Sequence, residues 1–406
     1  MSHNSKRGHR LMALAVVCAL SLSLLTGCQQ TQTTEETGST TGDGTTTAAT
    51  TAPTKPEPLG DYTQRTLALT EVTEGLRYDG RVTPLDDRVG IDWTYSGFTF
   101  RADCQGDIQV TMKAVNISNP SYVVAVLDGE TLSAQDILDR RVKVTTKKAY
   151  TVLTDVPAGV HDIQLVKLTE AQLGLLDVYD LTINGQLMEL PEDDRLKIEF
   201  IGDSITSGLG NLWNSSMDRQ TNGLADQDGY HTYAAFTARA LNADAHVVSL
   251  SGWGVAGGWL TPPEDAAIEN AYGYRSYYRN HTSEQWDFSS WQPDIVVINL
   301  GTNDKGIPTP VDDETLKAKV LELFADIRDH YPQAQIVWAY GLMGTAGGSV
   351  EQVVRECMEE RAAQGDAVPY TYVTLPMDQN GGGAHPNVSG QERAGRVLTA
   401  ALKKLI

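Results

Sequence analysis

Apolar and polar residues follow two different rhythms along this chain, and the change falls near residue 193. From about 60 to 190 the period is two. Val89, Ile91, Trp93 and Tyr95 alternate with polar neighbours, and so do Ile108, Val110, Met112 and Ala114. A strand with one buried face needs that spacing. Residues 122–127 make a more continuous apolar strand, closed by an Asp128-Gly129 turn. Residues 160–168 are a further candidate. Many short strands with turn signals between them predict an all-β sandwich or jelly roll over 60–192.

From about Leu196 short apolar strands alternate with helical stripes. Strands are expected at 197–201, 246–250, 294–300, 335–340 and 370–375. The clearest helix is 312–330, where Leu316, Val320, Leu323, Phe324 and Ile327 form one stripe. Residues 388–405 should close the chain as a helix. Alternating strand and helix predicts a parallel sheet covered on both faces, so 193–406 reads as an α/β domain. Sites in such sheets lie beyond the carboxyl ends of the strands. Ser204 follows the first strand, 249–254 the second and 301–304 the third, while His385 lies in the loop after the fifth. These four segments should meet at one edge.

The first 59 residues fit neither rhythm. Lys6, Arg7 and Arg10 precede an apolar run at 11–25. That is a targeting segment, too short to span a bilayer. Leu25-Thr26-Gly27-Cys28 resembles a bacterial lipobox, which implies cleavage before Cys28 and acylation of its thiol. The expected location is therefore extracellular, held to the membrane through Cys28. An ordinary secretory signal is the alternative. Residues 28–59 are rich in Thr, Ser, Gly and Pro and read as a flexible linker. Cys104 and Cys357 read as unpaired core thiols. The formal charge of −20 argues against nucleic acid as a partner.

The chemistry begins where an apolar strand runs into Gly202-Asp203-Ser204. A serine at such a turn can present its hydroxyl as a nucleophile. His385 is the candidate base, in a glycine-rich loop that ends in Pro386. Asn303, in Gly301-Thr302-Asn303-Asp304, can offer an amide to an oxyanion. The backbone N–H of Ser204 and that of a glycine in Ser251-Gly252-Trp253-Gly254 would complete the hole. Asp203 and Asp304 read as loop braces. Trp213, Trp253, Trp259, Tyr274, Tyr278 and Trp286 are candidates for stacking on sugars, with Trp253 and Trp259 singled out as substrate-binding. Packing of long loops is the alternative for each. His231, His246 and His281 show no metal spacing and read as structural.

Together, Gly202-Asp203-Ser204, Gly254, Gly301-Thr302-Asn303-Asp304 and His385-Pro386 resemble the four blocks of the SGNH (GDSL) hydrolase superfamily. The similarity to carbohydrate esterase family two is closer. It rests on Gly202-Asp203-Ser204-Ile205-Thr206 with Gly210-Asn211, on Ser251-Gly252-Trp253-Gly254-Val255, on the stretch Asp92-Trp93-Thr94-Tyr95-Ser96-Gly97-Phe98, and on Val166-Lys167-Leu168-Thr169-Glu170. The resemblance implies a three-layer, flavodoxin-like catalytic domain behind a jelly roll. It also implies deacetylation of acetylated polysaccharides with no cofactor or metal. Gly254 is the expected oxyanion glycine, from its spacing after Ser249. One position departs from the pattern. The superfamily places an aspartate three residues before the histidine, and here that residue is Gly382. A backbone carbonyl can orient the imidazole instead, giving a Ser–His dyad, or Asp378 can fold back as the acid. A third outcome is a lapsed site in a carbohydrate-binding surface protein. A lipase, thioesterase or peptidoglycan deacetylase on the same fold is the nearest rival activity.

Overall fold

A computed structural model of the protein describes residues 55–214, 223–280, 284–344 and 349–406. The targeting segment, Cys28, nearly all of the linker and His281 lie outside the described residues. Nine antiparallel strands make up the N-terminal half. They are β1 (Gln64–Ala68), β2 (Leu76–Asp79), β3 (Val82–Leu85), β4 (Arg88–Ile91), β5 (Gly97–Ala114), β6 (Ser121–Leu127), β7 (Val142–Val144), β8 (Lys148–Lys167) and β9 (Leu176–Met188). Their order is β3-β4-β9-β5-β8-β6-β7, with β1 added to β9 and β2 added to β5. Register shifts between Cys104 and Gln109 interrupt the β5–β8 ladder. Bulges of this kind bend long strands, which lets the sheet curl around one core. Phe98, Phe100, Cys104, Ile108, Val110 and Met112 of β5 fill that core together with Ile163, Leu165, Val178 and Leu181.

One expectation for this half needs correction. The alternation from Val89 to Tyr95 is not one strand, because β4 ends at Ile91. Trp93 and Tyr95 are buried for a different reason. They sit in a turn that packs against the C-terminal half, where Trp93 Nε1 donates to Arg275 O at 2.7 Å. The half is otherwise the sheet-rich domain expected, with one short helix inserted. Helix α1 (Ala134–Arg140) stands between β6 and β7, started by a capping box of Ser133 and Asp136.

The C-terminal half holds five parallel strands: β10 (Lys197–Gly202), β11 (Asp244–Ser249), β12 (Ile295–Asn299), β13 (Gln335–Tyr340) and β14 (Tyr370–Thr374). Their order, β11-β10-β12-β13-β14, is that of a flavodoxin-like sheet. The helices in chain order are α2 (Ser204–Ser207), α3 (Tyr233–Ala240), α4 (Glu269–Tyr272), α5 (Tyr277–Asn280), α6 (Thr302–Gly306), α7 (Asp313–His330), α8 (Val350–Ala363) and α9 (Val388–Leu402). Ile295 and Val297 face one core with α3 and α9. Val296 and Ile298 face the other with α7 and α8. Burial on both faces explains why these strands read as unbroken apolar runs. Cys104 and Cys357 are free, buried thiols.

Both sheets belong to one compact unit, Pro56–Ile406. Buried charges join them. Arg81, between β2 and β3, donates to Glu199 Oε1 on β10 at 2.8 Å. Arg279 of α5 bridges Asp92 at 2.8 Å and Asp177 at 2.6 Å. Among the described residues no helix is long and apolar enough to cross a membrane.

Candidate active site

Gly202, Ser249 and Asn299 end β10, β11 and β12 at one level of the sheet. Three loops therefore leave from adjacent points. In the first, Asp203 caps α2 by accepting the Ile205 N–H at 2.9 Å, and Ser204 becomes the first residue of that helix. Its own N–H has no helical acceptor, as for any first-turn amide. In the third, Asn303 of α6 points back across the other two. Its Nδ2 donates to Trp253 O at 2.7 Å and lies 3.2 Å from Asp203 Oδ2. Burial and the nearby Asp304 charge push the Asp203 carboxyl up to about 7, against the pull of the Ile205 N–H.

His385 arrives from the far end of the chain. Its Nε2 lies 2.8 Å from Ser204 Oγ, and its Nδ1 lies 3.2 Å from both Gly382 O and Gly383 O. A carbonyl only accepts, so Nδ1 carries the proton and Nε2 presents its lone pair to the serine hydroxyl. His385 as a whole is 8% exposed. That burial lowers its pKa, while the two carbonyls act the other way. The loop reaches this position because Gly210 lets it. A Cβ on Gly210 would lie 2.5 Å from Gly382 O and 3.0 Å from the His385 Cβ.

Three of the residues expected at the site lie elsewhere. Gly254 gives its N–H to Ala266 O at 3.0 Å and takes Ile268 N–H on its carbonyl, so it cannot serve an oxyanion. It is a glycine for packing: a Cβ there would sit 2.3 Å from Asp304 Oδ2. That carboxylate gathers the N–H groups of Val255, Ala256 and Gly257. The amide that remains is Gly252's. Gly252 is left-handed, its carbonyl accepts Trp259 N–H at 2.8 Å, and its own N–H has no acceptor among the described residues. Sequence reasoning left either glycine of this stretch open and preferred Gly254 from its spacing after Ser249. The usable signal was that Ser251-Gly252 is the point where the chain must turn.

Asp378 does not reach His385. Its carboxylate accepts from Asn380 N, Asn380 Nδ2, Asn387 N and Arg393 Nη2, which fixes the entry to α9. Trp253 is 1% exposed and packs edge-on to Tyr277, so it offers no face to a sugar. Trp259 is half-buried, with its Cβ 3.4 Å from where a Cβ on Gly252 would stand. Trp213, also half-buried, lies beside Gly382 in the same way at 3.3 Å. Both tryptophans thus stand beside glycines of the loops that carry the site. Tyr278 donates to Gln172, and Trp286 packs edge-on to His246. His231 bonds Asp228 and Leu132 O, and His246 stacks on Trp291. Among the described residues no cluster of His, Cys, Asp or Glu is arranged to hold a metal ion.

Comparison with known proteins agrees with this architecture. The GDSL-like lipase/acylhydrolase family model matches residues 200–393, and the carbohydrate esterase 2 N-terminal model matches 78–191. A cellulase/esterase from Acetivibrio thermocellus is 30% identical over 342 residues, which is 82% of this chain and 40% of that protein. The chain thus spans well under half the length of that relative. An acetylxylan esterase/glucomannan deacetylase from Cellvibrio japonicus is 23% identical, over 80% of this chain and 87% of its own. The structure of a family two carbohydrate esterase from Clostridium thermocellum in complex with cellohexaose superposes with a TM-score of 0.73 at 29% identity. It covers 82% of this chain and 99% of the other.

Proposed function

The chain belongs to the GDSL-like lipase/acylhydrolase family and carries a carbohydrate esterase 2 N-terminal domain, and from that premise we propose that it is a carbohydrate O-acetyl esterase working through a Ser204 acyl-enzyme. One observation carries the mechanism: the 2.8 Å contact between Ser204 Oγ and an imidazole whose opposite nitrogen is held by two carbonyls. His385 Nε2 takes the hydroxyl proton as Oγ bonds to the acetyl carbon. The oxyanion is met by the N–H groups of Ser204 and Gly252. Asn303 contributes the Nδ2 hydrogen that now rests on the longer contact to Asp203. The intermediate collapses by breaking the bond to the sugar oxygen, which leaves with the proton from Nε2. Water then gives a proton to Nε2 and attacks the acyl carbon. The bond from the acyl carbon to Oγ then breaks as Nε2 returns its proton to Oγ, so acetic acid leaves and Ser204 is restored.

Removing the acid from a Ser-His-Asp triad costs about 10⁴ in rate because the histidine adopts the wrong tautomer. Here the Gly382 and Gly383 carbonyls fix the tautomer, so the lack of an aspartate does not argue for a lapsed site. The substrate class, acetylated xylan or glucomannan, is read from the Cellvibrio relative's name and is supported by Trp213 and Trp259 on the loops of Gly382 and Gly252. We also infer that the enzyme works outside the cell, tethered by lipid on Cys28. This rests on the basic, apolar and lipobox-like order of residues 6–28.

The test is acetate release from acetylated xylan and glucomannan by wild type and Ser204→Ala. Release by wild type alone is expected. Activity kept by the variant would remove Ser204 from its role. Polysaccharide binding without release by wild type would overturn the esterase reading. Cys28→Ala should move the protein from the membrane fraction to the medium.

A further inference from the structure

Glu170 belongs to the N-terminal half, three residues past the end of β8, yet its carboxylate is spent in the catalytic half. It is 0% exposed. Oε2 accepts the Ser251 N–H at 2.7 Å, and Oε1 accepts the Ser251 hydroxyl at 2.6 Å. Oε1 also takes Gln227 Nε2 at 3.1 Å, and Ser207 Oγ stands 3.5 Å from Oε2. The Glu170 N–H returns a bond to Gln227 Oε1 at 2.9 Å. Ser207 lies in α2, the helix that opens with Ser204, and it donates to Ser249 Oγ at 2.9 Å. One carboxylate therefore holds the start of the second loop through both oxygens and lies against the nucleophile's helix at Ser207.

The residue after Ser251 is Gly252. The peptides on either side of its N–H are held, by Glu170 on the Ser251 N–H and by Trp259 N–H on the Gly252 carbonyl. Between these anchors the Gly252 N–H has no acceptor among the described residues. We propose that Glu170 is the positioning residue of the oxyanion hole: by clamping Ser251 through two hydrogen bonds it aims the Gly252 N–H at the developing oxyanion, which makes the β domain part of the active site. This rests on the reading of Ser204 as nucleophile. A donor helps catalysis only when it is pre-aimed at the charge that appears in the transition state. A carboxylate suits the task because both oxygens accept; a carboxamide has one acceptor and turns an NH₂ toward donors.

The experiment compares wild type, Glu170→Gln and Ser204→Ala on 4-nitrophenyl acetate, with inhibition by phenylboronic acid, which adds to the Ser204 oxygen to form a tetrahedral adduct. Glu170→Gln should lower kcat about tenfold or more while KM stays within about twofold. Boronate affinity should fall by a similar factor. A folded Glu170→Gln with wild-type kcat overturns the proposal, and so does one with raised KM and unchanged kcat, since a merely structural role gives that result. If Glu170→Gln does not fold, Ser251→Ala decides, because it removes only the hydroxyl contact. A fall in kcat of about threefold or more at constant KM supports the clamp, and wild-type kcat overturns it. Wild-type turnover by Ser204→Ala would instead overturn the underlying nucleophile assignment.

Discussion

Asp226 Oδ2 lies 2.5 Å from the point where a Cβ on Gly382 would stand. Gly382 is the position at which the superfamily carries its orienting aspartate. The space that side chain would need is held by a buried carboxylate with no hydrogen-bond partner for that oxygen among the described residues. Burial pushes the Asp226 carboxyl up to about 6, with the Gly223 N–H pulling against it. Gly382→Asp is therefore expected to damage the enzyme rather than restore a triad, because it sets two carboxyl groups in contact. Acetate release should fall about tenfold or more, and adding Asp226→Ala should recover part of the loss. A single Gly382→Asp variant faster than wild type would contradict this steric account.

The histidine sets the acid limb of the pH profile. Burial lowers the His385 pKa below its ordinary 6.5, and the carbonyl bonds only partly offset that. The base works when neutral, and a lowered pKa keeps it neutral to more acid pH. The fall in kcat/KM should therefore come below pH 6.5. An acid-side inflection above 6.5, measured on 4-nitrophenyl acetate, would mean that the imidazole is not held as described.

Gly254 and Asn303 separate packing from chemistry. Gly254→Ala forces a Cβ to within 2.2 Å of Gly257 O. It should cost about 1–3 kcal/mol of stability, as overpacking does, while folded enzyme keeps much of its kcat. Asn303→Ala should do the reverse, lowering kcat by about 10²–10³ with little change in melting temperature. Thermal denaturation paired with kcat on folded protein distinguishes the two. An Asn303→Ala enzyme with wild-type kcat would remove it from the oxyanion hole.

The parallel sheet was legible because its physics is local. Strands buried on both faces write themselves as apolar runs such as 295–299, and α7 needed only one stripe to be seen. Ser204 and His385 were legible through turn chemistry at the ends of such strands. The rest depended on partners far away in the chain. Nothing near Gly254 shows that its N–H is taken by Ala266, and nothing near Trp253 shows that Tyr277 covers it. Trp93 kept the rhythm of a strand after β4 had ended, because tertiary burial and strand pleat both favour apolar residues. Glu170 stood inside a noticed motif, but its role needs Ser251, 81 residues on.

Arg81 and Glu199 join the two sheets with both side chains 0% exposed. Tyr272 OH adds a 2.7 Å bond to the other Glu199 oxygen, and Arg81 also donates to the Tyr272 carbonyl. Breaking such a pair strands a charge in the interior, which typically costs about 3–5 kcal/mol. Glu199→Leu alone should lose about that much in urea denaturation. The double variant Arg81→Met with Glu199→Leu should lose clearly less than the sum of the single variants, because neither charge is left alone. Since the pair touches no residue of the Ser204–His385 site, kcat of the folded double variant should stay near wild type. Strict additivity of the two single losses would show that each side chain acts through packing alone and that the bond between the halves is not ionic in effect.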